Sequence, residues 1–135
     1  MNLRRIIPIA KLGARGERRA AWFYRLRGFS IVGRNQRMRS GEIDLIVRRG
    51  RLLVFVEVKT RQSLTAGEGY EAVDRHKQLQ LVRLAGEYLA KHRHDGVVRY
   101  DVLSLYWTGL RFILRHFPDA FRPIADAHRP WRWTI

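Results

Sequence analysis

The chain has no cysteine, which removes disulfide scaffolds, thiolate nucleophiles and cysteine-bound zinc at once. It also lacks any stretch near the ~18 consecutive apolar residues of a membrane span. The opening MNLRRIIPIAKLG sets Arg before a short apolar run, but Pro8 breaks the run and no small-residue cleavage site follows, so it fails as a secretory signal. The five His show no HExxH or paired-ligand spacing, and His92 and His94 sit in the polar stretch KHRHDG, which argues against zinc. No Ser-His-Asp arrangement stands out, and Gly67 and Gly69 lack the strand–turn–helix setting of a nucleotide-binding loop. Acid is scarce too: 12 Asp+Glu stand against 27 Lys+Arg, giving a net charge of +15.

A field of that sign attracts phosphate polyanions at long range and supplies sequence-independent affinity by counterion release. The expected partner is nucleic acid, ahead of an anionic membrane surface. With 135 residues and 46% hydrophobic content, the chain is one domain's worth with a single core. The expected location is the cytoplasm, with association to the nucleoid consistent with the charge.

Residues 13–28, GARGERRAAWFYRLRG, read as a helix stopped by Gly28. Helical spacing puts Glu17 on the apolar face with Ala20, Ala21 and Tyr24, while Arg15, Arg18, Trp22 and Arg25 share another face. FSIV at 29–32 predicts a short strand, and GRNQRMRS at 33–40 a basic connection. A hairpin follows, with arms at about 42–48 and 52–60, then a mobile Gly-rich loop at 62–72. A long helix is predicted from 74 to 92, with Asp74 as N-cap and Leu81, Leu84 and Tyr88 among its apolar repeats. VVRYDVLSLYW (97–107) and LRFILRHF (110–117) predict a second hairpin about Thr108 and Gly109. The order αβββαββ implies an α/β fold, a central mixed sheet flanked by helices. The expected organisation is a basic arm (1–10), an α/β domain (11–120) and a basic, Trp-containing tail (121–135).

The first hairpin, GEIDLIVRRGRLLVFVEVKTR, carries Asp44, Glu57 and Lys59 inside apolar runs, and an unpartnered buried charge costs several kcal/mol. By strand alternation, Leu53, Phe55, Glu57 and Lys59 share one face, and Ile43, Leu45 and Val47 lie opposite Glu42, Asp44, Ile46 and Arg48. An even hairpin loop brings Asp44 onto the Glu57 face and an odd one sends it away. A Gly50–Arg51 loop sets the two carboxyls directly across from each other, and an Arg49–Gly50 loop sets them diagonally. Two carboxylates that close repel unless a cation joins them. Mg²⁺ or Mn²⁺ suits such a site, because hard divalent ions favour carboxylate and water oxygens together with substrate phosphate. Lys59 could then hold the attacking water, and Glu17 could complete the ligand set. The competing reading is a structural Glu–Lys pair at an exposed strand end, with Asp44 on the solvent face.

These residues resemble the PD-(D/E)XK nuclease superfamily and, within it, the YraN-like family of endonuclease-like bacterial proteins. The resemblance spans about residues 11–120. It rests on GxxGE at 13–17, Asn35 and Arg37, GEIDLI at 41–46, VFVEVKTR at 54–61, EAV at 71–73, AGEYL at 85–89 and RYDV at 99–102. It implies a restriction-endonuclease-like core, with Asp44 and Glu57 as metal ligands, Lys59 as catalytic lysine and Glu17 as the first-helix acid. Gln78 and Lys77 match, more loosely, polar residues on the following helix. Ile43 stands before Asp44 where the superfamily's name-giving proline would be.

The implied activity is metal-dependent cleavage of DNA, in preference to RNA, with branched or junction DNA as the candidate substrate. Junction cleavage would favour a symmetric homodimer. The alternative is an accessory nucleic-acid-binding protein of repair or recombination without useful catalysis. Arg34, Arg37, Arg39 and Arg61 flank the hairpin site as candidate phosphate contacts, as does Lys77. Asp101 either supports the site or pairs with an Arg, and Trp131 and Trp133 either stack on bases or belong to a frayed or docked tail.

Overall fold

The structure, a computed structural model, describes residues 8–62, 75–126 and 129–134. Helix α1 spans Ile9–Arg25. It ends where Gly28 adopts φ +85° and the Arg27 and Phe29 N–H groups fold back to donate to the Tyr24 carbonyl at 2.9 and 3.1 Å. Satisfying a last-turn carbonyl in this way is the usual role of a left-handed residue just past a helix. Ala20, Ala21, Phe23 and Tyr24 are buried, while Arg15, Arg18, Trp22 and Arg25 face outward as helical spacing predicts.

Strand β1 runs over Ser30–Met38, so the segment expected as a basic connection is mostly strand. It pairs antiparallel with β2 (Gly41–Arg49), with a register shift between Ile31 and Gly33. An edge strand tolerates polar side chains on its open side, and the bulge breaks the two-residue period, which hid the strand from pattern reading. Strand β3 (Leu52–Arg61) returns antiparallel to β2 through a two-residue Gly50–Arg51 turn, with Arg49 opposite Leu52 and Gly50 at φ +61°. This is the even loop, and the left-handed turn position suits glycine.

Helix α2 (Arg75–Lys91) crosses back so that β4 (Val97–Trp107) lies parallel to β3, and β5 (Phe112–Phe117) pairs antiparallel with β4. The result is a five-stranded mixed sheet in the order β1-β2-β3-β4-β5. Its helices lie on opposite faces. Leu81, Leu84, Ala85 and Tyr88 of α2 pack with Met38, Ile46, Phe55 and Tyr100, while Ala20, Ala21, Phe23 and Tyr24 of α1 pack with Leu45, Val54, Val56 and Leu103. Helix α1 approaches β3 so closely that a Cβ on Gly16 would lie 2.2 Å from Thr60 Oγ1. The expected loop at 62–72 and the Asp74 cap fall almost wholly outside the described residues.

The expected tail is also structured. Strands β6 (Arg122–Asp126) and β7 (Arg129–Thr134) form an antiparallel two-stranded sheet, and Trp131 and Trp133 lie on β7. Just before it, Phe121 is fully buried and stacks on Tyr100 at 5.4 Å between centroids, while the Ala120 N–H donates to the Tyr100 carbonyl at 2.8 Å. The α2-side core therefore extends through Phe121. Among the described residues, no helix is long and apolar enough to cross a membrane.

Candidate functional site

The β2–β3 ladder pairs Leu45 with Val56 and Ile46 with Phe55, a register that continues to Asp44 opposite Glu57. At that point the side chain takes over from the backbone: the Val58 N–H donates to Asp44 Oδ2 at 2.9 Å. Strand β2 is irregular here. Strict alternation puts Ile43 on the face of Leu45 and Val47, but it packs in the α2-side core with Met38, Ile46 and Phe55. That break in alternation lets Ile43 and Asp44 both turn toward α2.

The Asp44 and Glu57 carboxyls share one cleft, close enough for the Glu57 charge to act on Asp44. Burial, then the Glu57 charge, pushes the Asp44 carboxyl up to about 7, against which the Val58 N–H acts. Burial also raises Glu57, opposed by Lys77 and Lys59. Lys59 moves the other way: burial and the neighbouring Lys77 lower its pKa, while Glu57 holds it up. Two carboxyls with raised pKa values beside a lysine with a lowered one are what mutual repulsion and burial produce where like charges are brought together.

The pair opens into a cleft of about 230 Å³ lined by Glu42, Asp44, Glu57, Lys77, Gln80, Leu81 and Leu84. Lys77 Nζ lies 4.0 Å from Glu57 Oε1, so α2 lends its cation to the site itself rather than only to a flanking phosphate. Gln78 points inward from α2 and is 2% exposed, one turn before Leu81. Glu17 reaches the region from α1, on the other face of the sheet. The Asn35 Nδ2 donates to Glu17 Oε2 at 2.9 Å, and the Glu17 charge helps raise Asp44. Among the described residues no three His, Cys, Asp or Glu cluster as a metal site, so the expected set of Asp44, Glu57 and Glu17 is two close carboxyls and a more distant third.

Asn35, part of the motif set but given no role by sequence, gains one from this bond. It lies between the paired positions Arg34↔Leu45 and Gln36↔Ile43, hence opposite Asp44, and its φ of +46° is a conformation in which Asn is over-represented among non-glycine residues. The expected phosphate contacts are spread along the edge: Arg34, Arg37 and Arg39 are exposed on or just after β1, and Arg37 pairs loosely with Glu42 at 3.6 Å. Arg61 closes β3 and is half-buried.

Asp101 turns out to pair with Arg99, and it does more. It is fully buried and accepts from Arg99 Nε at 2.8 Å, Tyr24 Oη at 2.8 Å and the Asp119 N–H at 2.9 Å, and it bonds His116 Nε2 at 2.9 Å. Burial alone would raise this carboxyl, but the bonds from His116, Arg99, Asp119 and Tyr24 outweigh it and hold it at about 2. The hub lies on the α1 face of β4, whereas Glu57 is on the α2 face, so it supports the fold rather than the carboxyl pair. Tyr24 and His116 carry no sequence signal of this role because their partner lies 77 and 15 residues away.

A mixed α/β sheet between two helices, with two carboxyls sharing a cleft in a strongly basic chain, is the class this fold and site define. The profile of the Uncharacterised protein family UPF0102 matches residues 16–105. The chain is 43% identical over 111 residues to a UPF0102 protein of Syntrophotalea carbinolica, covering 82% of this chain and 90% of that protein. It is 48% identical over 98 residues to one of Beutenbergia cavernae (72% and 83% covered) and 52% identical over 96 residues to one of Symbiobacterium thermophilum (70% and 81% covered). The chain belongs to the UPF0102 family, the YraN-like family its motifs resemble.

Proposed function

We propose that this protein is a Mg²⁺- or Mn²⁺-dependent endonuclease-like hydrolase of DNA phosphodiester bonds, with a restriction-endonuclease-like core and with branched or junction DNA as its candidate substrate. The observation that carries the reading is that Asp44 and Glu57 line one small cleft, with Lys59 two residues beyond Glu57 on the same strand. The donor set fits a hard divalent ion, which commonly takes one or two carboxylates and completes its shell with water and phosphate oxygens. Asp44 and Glu57 would hold it, and Glu17, whose charge acts on Asp44, would add negative charge from the α1 side. When bound, the ion would neutralise charge on the scissile phosphate and lower the pKa of an attacking water.

The chain's own groups supply the rest. Lys59, its pKa lowered by burial and by Lys77, would hold the attacking water and stabilise the charge that develops on the phosphate. Lys77 balances Glu57 and stands ready for a phosphate oxygen, and Arg37, Arg39 and Arg61 place positive charge along the approach.

Purified protein supplied with Mg²⁺ or Mn²⁺ should nick or cut linear, branched or single-stranded DNA, and Asp44→Ala, Glu57→Ala and Lys59→Ala should each abolish it. Activity that survives in Glu57→Ala would assign the cutting elsewhere. A second reading, nucleic-acid binding without useful catalysis, is favoured by one observation: Lys77 already stands beside Glu57 as a built-in cation. Inactivity on all three substrates with intact, salt-sensitive binding would select it.

A further inference from the structure

Helix α1 carries a second basic feature that the carboxyl cleft does not use. Lys11, Arg15, Arg18, Trp22 and Arg25 follow one another at spacings of four, three, four and three residues, and all five are exposed. Such positions form one stripe along a helix, here about 21 Å long at ~1.5 Å per residue. Glu17 is the one acid between Ile9 and Arg25, and it is held by Asn35 off the stripe. Among the described residues, no ion pair engages Lys11, Arg15, Arg18 or Arg25. Within the stripe Trp22 remains 51% exposed, with the Arg25 guanidinium over its ring at 5.4 Å.

An indole left half in water, flanked by cations without acids, is an arrangement that suits unpaired nucleic acid. The cations track the backbone and the ring offers a stacking platform for a base. Duplex DNA needs the charges but has no free base for the ring. A membrane surface fits less well, because a helix that lies in a bilayer needs its apolar face, and Ala20, Ala21, Phe23 and Tyr24 are committed to the core.

We infer that the outer face of α1 is a single-strand-binding surface, on which Trp22 stacks against an unpaired base between phosphate contacts from Arg15, Arg18 and Arg25. The inference rests on the nucleic-acid reading above and deepens it: the substrate presents a single-stranded segment to the outer face of α1, across the sheet from the α2-lined cleft.

The test is fluorescence anisotropy of labelled oligo-dT and of blunt duplex DNA with the full chain, in chelator so that cleavage plays no part. Trp22→Ala should weaken oligo-dT binding about tenfold, leave duplex binding nearly unchanged and keep the salt slope, while Trp22→Phe should retain most of the affinity. Reversing Arg15, Arg18 and Arg25 to Glu should flatten the slope by about 0.7 for each single-strand phosphate no longer neutralised. All four side chains are exposed, and circular dichroism melts verify that the variants fold. Oligo-dT binding unmoved by both variants would overturn the α1 surface and leave the nucleic-acid reading intact. A wild type that binds neither DNA would overturn both. Trp22-dependent binding to phosphatidylserine vesicles without an oligo-dT effect would assign the stripe to a membrane and overturn the inference.

Discussion

Val58 donates its backbone N–H to the Asp44 side chain, not to a backbone carbonyl, at 2.9 Å. The carboxyl thus completes the sheet ladder at the point where it also faces Glu57, and it cannot turn away from Glu57 without losing that bond. Asp44→Asn keeps an acceptor for Val58 and removes the repulsion, whereas Asp44→Ala loses both. The Asp44 pKa is raised in the fold, to about 7 from 3.8, so the stability linked to its proton is full below pH 3.8 and is lost as pH rises through about 7. In chelator, the wild type should therefore weaken between pH 4 and 8 while Asp44→Asn stays flat. At pH 8 the Asn variant should melt higher by about 1–2 kcal/mol, on the order of 3–8 °C, and Asp44→Ala should melt below Asn. Thermal melts across that pH range decide it.

Titrating Mn²⁺ into the wild type at pH 8 should raise its melting temperature. The stabilisation should reach about 2.7 kcal/mol at a hundredfold excess over Kd. Glu57→Gln should forfeit most of this gain while melting no lower than wild type in chelator. A wild type unmoved by metal, with a Gln variant that melts lower, would support the structural Glu–Lys pairing instead.

Lys77 stands beside Glu57 where a bound cation would exert its charge. Because Lys77 is partly exposed, Lys77→Met should cost little stability in chelator, about 0.2–1 kcal/mol. It should tighten Mn²⁺ binding severalfold, since the ion no longer meets a like charge. Weaker Mn²⁺ binding in the variant, read by calorimetry, would count against a metal at Glu57.

Asp101 is a fully buried carboxylate whose counter-charge is Arg99. Asp101→Asn should destabilise by roughly 3 kcal/mol, because it leaves a guanidinium beside an uncharged amide. Tyr24→Phe removes one bond from the same hub and should cost about 1 kcal/mol. The sign is opposite to that of Asp44: Asp101 is held at about 2, so its contribution is present above 3.8 and is lost as pH falls toward 2. Urea denaturation at pH 3 and pH 7 should show the Asp101→Asn deficit shrinking in acid.

The sheet was legible where apolar residues dominate both faces, as in LLVFV, and the Gly50–Arg51 turn was one of two even loops that pattern reading could name but not choose between. What chose was glycine's ease at positive φ in the first turn position. Strand β1 was hidden because Arg34, Asn35 and Arg37 lie on an open edge, where burial imposes no alternation. The Ile43 misplacement has a local cause, since strict alternation cannot foresee an irregularity at Asp44. Asp44, Glu57 and Lys59 could be singled out because charge inside an apolar strand is costly wherever the strand goes. The Asp101 hub could not, because Tyr24 and His116 become its neighbours only after the sheet has closed.

Thr60 fills the space where any larger residue at position 16 would put its side chain. Only glycine at position 16 lets α1 sit this close to the end of β3. Helix α1 and the end of β3 therefore act as a ruler. A nucleic acid bound on the outer face of α1, as inferred above, would then meet Lys59, one residue before Thr60, at a spacing set by how closely Gly16 lets the helix approach.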